Sequence, residues 1–149
     1  MNALKWWMRV VGTMYLFLFV VVTFLKLPIR AEGPADVLAH AAAGDPTASF
    51  VVDTWVTLGI WYGVLGTAVL LASRIPSQAK ALVWTIIGWE LGGIVIDIYK
   101  VARGYDLAAP VTWMFIHTVL IVAGLLVLRR AQASPSASLR SATATQPAR

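Results

Sequence analysis

Cysteine is absent from this sequence, which excludes disulfides, thiolate metal sites, iron–sulfur ligation and dithiol redox chemistry of the quinone-reducing kind. Charge is scarce too: Asp, Glu, Lys and Arg make up 13% of the 149 residues, with 12 basic side chains against 7 acidic. In a soluble protein the resulting +5 would suggest nucleic acid. Here the cations cluster at the ends of apolar runs, where they act as topology signals and lipid-headgroup contacts, so nucleic-acid binding is not expected. What is abundant is apolar. Hydrophobic residues make up 59% and the mean hydropathy is +0.76, well above a soluble domain. The class is an integral membrane protein, with the lipid bilayer as its first partner.

The pattern predicts an all-α fold, a four-helix transmembrane bundle over 1–130, with spans at about 10–27, 50–72, 81–101 and 110–128. The tail 131–149 is small, polar and without an apolar face, and is expected to be disordered. Lys5-Trp6-Trp7-Met8-Arg9 pairs interfacial aromatics with cations ahead of the first span. That run reads as a span and not as a cleaved leader, because Lys26 and Arg30 sit where cleavage would fall and no A-x-A pattern is present. Pro28–Ser49 carries Glu32, Asp36 and Asp45 and is expected outside the membrane. Within it, Pro34–Ala43 reads either as a short helix stopped by Gly44 or as a mobile loop, with His40 solvated. Asp53, at the outer end of the second span, reads as an interfacial residue. Gly59-x-x-x-Gly63, extended by Gly66, offers a close-approach surface on the second span, with Gly88-x-x-x-Gly92 on the third as its expected partner. Ser73–Lys80 reads as a tight turn and Val101–Ala109 as a second short link, so the third and fourth spans should be neighbours. Lys5, Arg9, Arg74, Lys80, Arg129, Arg130, Arg140 and Arg149 fall on one side, against Lys26, Arg30, Lys100 and Arg103 on the other. Both termini are therefore expected in the cytoplasm.

The third span holds two acids, Glu90 and Asp97, inside a membrane-length run. At about 100° per residue, Glu90, Gly93, Asp97 and Lys100 share one helix face. A buried carboxylate costs several kcal/mol unless neutralised or paired, so Glu90 should face protein or water. Helix rise places Glu90 about 16 Å from the outer surface, His117 on the fourth span about 12 Å and Asp97 about 6 Å. The imidazole therefore falls between the two acids in depth, and an Asp–His–Glu series able to share or relay a proton is expected. Lys100 and Arg103 offer Asp97 a local, purely structural neutralisation. Neither a metal nor a cofactor is expected, since no local ligand spacing accompanies these residues. Trp61 and Trp89 sit deep enough to wall a ligand cavity beside Glu90, although aromatics at such positions are more often packing.

The stretches LKWWMRVVGTMYL, LVWTIIGWELGGIVIDIYKVARG and HTVLIVAGLLVLRRA resemble the BphX-like family of small bacterial membrane proteins, in phrases running from Leu4 to Ala131. The resemblance implies a bacterial inner-membrane protein encoded in the context of aromatic-ring degradation, and it brings no catalytic residues with it. Glu90, His117 and Asp97 thus rest on physical argument alone, as candidate catalytic and ligand-binding groups. Three readings follow. The first is a bundle whose acid-lined interior binds a small hydrophobic or aromatic molecule or assists its passage. The second is an intramembrane proton-transfer enzyme of sterol-isomerase-like type. The third is a structural subunit in which Glu90 pairs across a homo-oligomeric or partner interface, and it requires Glu90 to point outward.

Overall fold

The computed structural model describes residues 2–32, 36–104 and 107–133. Among them every regular element is helical: α1 Asn2–Phe19, continued by a π-helical turn Val20–Phe24; α2 Leu27–Glu32; α3 Val37–Ala42; α4 Pro46–Ala72; a 3-10 turn Pro76–Gln78; α5 Lys80–Ala102; and α6 Ala108–Ala133. Four helices are long and apolar enough to cross a membrane: Ala3–Phe24, Pro46–Ala72, Lys80–Ala102 and Ala108–Ala131, of 22, 27, 23 and 24 residues. At about 1.5 Å per residue each exceeds a hydrocarbon core of about 30 Å. Large apolar side chains such as Phe17, Phe50, Phe115 and Val95 are exposed on them, as a lipid-facing surface requires. The hydroxyls of Thr54, Thr85, Thr112 and Thr118 donate to the carbonyl four residues earlier on their own helix, so they need no water. The tail expected to be disordered lies outside the described residues from 134 onward, and α6 runs through Ala133, beyond the expected end of the span.

The chain divides into two compact units, 9–72 and 1–8 with 73–149. In the first, α1 and α4 run antiparallel, because successive contacts climb one helix and descend the other. Gly12 meets Gly66 and Leu70, Phe19 meets Gly63, and Val22 and Thr23 meet Gly59. A Cβ on Gly66 would lie 2.9 Å from the Gly12 carbonyl oxygen and 2.9 Å from the Leu16 amide nitrogen, so backbone rests on backbone there. Tyr15 and Tyr62 add a tilted ring pair with centroids 5.6 Å apart. This corrects the expected glycine pairing. Gly59, Gly63 and Gly66 are taken up by the first span, while a Cβ on Gly88 or Gly92 would meet nothing within 4 Å.

The segment before α4 is folded onto it. Ile29, Val37, Ala48 and Val52 form a buried cluster, with Leu38, Ala41, Val51, Trp55 and Val56 packed against it. The short helix of the sequence reading is therefore α3, trimmed to Val37–Ala42, and Gly44 stops it at φ 88°, a left-handed conformation that favours glycine. Pro34, its expected first residue, lies outside the described residues. Asp45 caps α4: its Oδ1 accepts from the amides of Thr47 at 2.8 Å and Ala48 at 3.0 Å. Those amides, the Ala48 bond foremost, hold the Asp45 carboxyl below its usual range. Asp53 is exposed and lies within α4, which begins at Pro46.

In the second unit α5 and α6 are antiparallel, with Ile87 against Gly124 and Gly93 against His117. The turn between α4 and α5 is anchored by buried Pro76 and Ala79. The link to α6 begins at Gly104, whose φ of 78° ends α5. Trp7 departs from the interfacial role expected of it: it is 8% exposed and its indole rests on Gly124, whereas Trp6 is 63% exposed. The physical reason is that the helix starts at Asn2, so Leu4, Trp7, Met8 and Val11 form one buried stripe at helical spacing.

Candidate functional site

The polar residues of the second unit are brought to one place. Along α5, Glu90, Gly93 and Asp97 recur at spacings of three and four, which stacks them on one stripe of the helix. From α6, the His117 side chain crosses to that stripe. Its Nδ1 lies 2.5 Å from Glu90 Oε2 and its Nε2 lies 3.6 Å from Asp97 Oδ2. The short contact is a hydrogen bond between the imidazole Nδ1 and the Glu90 carboxyl group. Each ring nitrogen thus faces a different carboxylate, in the order Glu90, His117, Asp97. Glu90 is 2% exposed and Asp97 3%.

Asp97 has two further features. Lys100, one turn on, places Nζ 3.7 Å from Oδ1, so the local neutralisation is present alongside the imidazole contact and not instead of it. Oδ2, which faces the ring, has no hydrogen-bond donor among the described residues. The imidazole thus lies between two buried carboxylates, with Lys100 beside Asp97. That geometry, one ring nitrogen bonded to a carboxylate and the other facing a second, is of the kind that can pass a proton along.

Other expected residues are placed differently. Trp89 is half-buried on α5 beside Glu90, while Trp61 belongs to the other unit and is 54% exposed. Two contributors were not singled out from sequence. Trp113 sits one turn before His117 on α6, with ring centroids 6.1 Å apart at 32°, and its four-residue spacing was the available signal. Gly93 lies directly under the imidazole: a Cβ there would be 2.6 Å from His117 Cε1 and 2.6 Å from Nε2. Its position midway between the acids was visible, but its purpose was not. The reading that needs Glu90 to point outward is not supported, because that side chain is buried within the single chain. No group of His, Asp and Glu fit to hold a metal occurs among the described residues.

A family model described as BphX-like matches residues 1–133. Neither a curated protein nor a solved structure matches the chain.

Proposed function

We propose that this chain, which belongs to the BphX-like family, is a multi-span protein of the bacterial inner membrane that binds a small hydrophobic or aromatic molecule, or assists its passage, at the buried Glu90–His117–Asp97 series. The observation that carries the reading is the His117 ring with one nitrogen toward Glu90 and the other toward Asp97. Ionisable groups inside a span are costly and are kept where they serve a pathway or a relay. Nδ1 is bonded to Glu90 and Nε2 faces Asp97 at 3.6 Å, so carboxylates orient the ring on both sides. This favours binding or relay over a catalytic base acting directly on substrate. Both termini lie in the cytoplasm and Asp45 outside, as the cation distribution asks.

The test uses toluene as the probe. Wild type should bind it saturably in detergent micelles. Glu90→Gln, which keeps the shape and an acceptor for His117 but removes the charge, should change stability by no more than about 1.5 kcal/mol while weakening that binding roughly tenfold. Saturable binding that is equal in both proteins, or none in wild type, rejects the proposal. Orientation is checked by single cysteines, which face no native competitor. A cysteine at Asp45 should react with an impermeant reagent in whole cells and one at Ser77 should not; the reverse pattern overturns the topology.

A further inference from the structure

We infer that Gly93 is a positioning residue: its missing side chain is the seat on which the His117 ring lies, and that seat lets one imidazole address both carboxylates. Glu90 precedes it by three residues and Asp97 follows it by four, so the carboxylates flank the seat about 4.5 Å to one side and 6 Å to the other along the helix axis. A Cβ at position 93 would lie 2.6 Å from Cε1, 2.6 Å from Nε2 and 3.0 Å from Cδ2 of His117, so the far half of the ring covers the glycine. Carbon atoms in contact need about 3.5–4.0 Å, so a single methyl would lift the ring by roughly an ångström. A shift of that size stretches the 2.5 Å bond to Glu90 out of hydrogen-bond range or carries Nε2 farther from an Asp97 oxygen already 3.6 Å away.

Glycine in a membrane helix has a commoner use, close approach of two backbones. Gly93 differs from its neighbours on that count. Gly88 and Gly92, on the same helix, would carry a Cβ into open space. Gly66, in the other unit, touches backbone atoms. The three atoms nearest to a Cβ at Gly93 all belong to a titratable side chain, and that side chain is the one the two acids share. The inference concerns the same three groups as the proposed function but does not depend on any solute.

A double-mutant cycle separates a seat for the ring from a general packing role. Gly93→Ala, His117→Ala and the pair together are compared by thermal unfolding in detergent. The hydrogen-bonded Nδ1 proton of His117 is followed by NMR, with exposed His40 as the second and reference histidine. Gly93→Ala should lower Tm and remove the Nδ1 proton signal, and Gly92→Ala should keep that signal. With His117 already truncated, adding Gly93→Ala should lower Tm no further, because the methyl then occupies space the ring has left. Additive losses in the cycle, or a Gly93→Ala protein that retains the Nδ1 signal, would overturn the assignment. Should Gly93→Ala alone fail to accumulate, the comparison of His117→Ala with the pair still decides: equal Tm supports the seat and a further drop refutes it.

Discussion

In the 9–72 unit, α1 lies on α4 through glycines and a tyrosine pair, whereas in the other unit α5 lies on α6 through an imidazole bonded to one carboxylate and facing a second. Both pairs are antiparallel, and both use glycine where the helices come close. They differ in what the glycine admits. Gly66 admits a backbone, and close packing of this kind is what joins helices where lipid removes the hydrophobic drive between them. Gly93 admits a titratable ring. Among the described residues no charged side chain is buried at the α1–α4 contact, whereas both buried carboxylates lie on α5. Their burial, at 2% and 3% exposure, is costly, and the proposed role at this site would account for it.

The comparison is broken most severely at His117. Truncating it to Ala leaves Glu90 and Asp97 buried without the imidazole between them, and the expected loss is about 3–5 kcal/mol of stability, measured as Tm and denaturant midpoint of the extracted protein. A loss no larger than that of Glu90→Gln would mean that the ring is not the partner that balances the acids. Next in size is Gly66→Ala. The new methyl would meet two backbone atoms at 2.9 Å, neither on a flexible side chain, and the expected loss is about 1–3 kcal/mol. Because this site holds no charge, the loss should be the same across pH; a pH-dependent loss would erase the distinction drawn between the two pairs.

The smallest effect belongs to Asp45, outside the spans. Its folded carboxyl lies below its unfolded value of about 3.9, so the stability it contributes is present above that pH and is lost as pH falls through the folded value. Asp45→Asn keeps an acceptor for the Thr47 and Ala48 amides and removes the charge. Tm against pH should therefore run slightly lower for the variant near neutrality, and the two curves should meet in acid. A gap that persists unchanged below about pH 3 would show that the charge contributes nothing at this cap.

Several of these features were legible in the residues alone. Hydropathy and length marked four spans, and helix rise set His117 level with the stretch between Glu90 and Asp97, where its ring does lie. The short link between the last two spans made them neighbours, which the Ile87–Gly124 and Gly93–His117 contacts bear out. Other features were not legible. The Gly59, Gly63 and Gly66 stripe had two candidate partners of equal apolarity, and the motif carries no information about which helix fills it. Trp7 read as an interfacial anchor because its neighbours are cations, yet the helix begins early enough to turn it inward onto Gly124.

What the sequence determined by itself was the membrane class, the number and rough extent of the spans, and the order of the three titratable groups along the helices. Each depends on local composition and on the fixed rise of a helix, quantities that no neighbour alters. The tertiary structure decided which faces meet. It put α1 in the Gly59–Gly66 groove, left Gly88 and Gly92 open, and laid His117 on Gly93 with Nδ1 toward Glu90 and Nε2 toward Asp97. In a span that is apolar all round, lipid accepts every face about equally, so the choice among them falls to shape and to the placing of a few polar atoms. Those are properties of two helices together and are written in neither one alone.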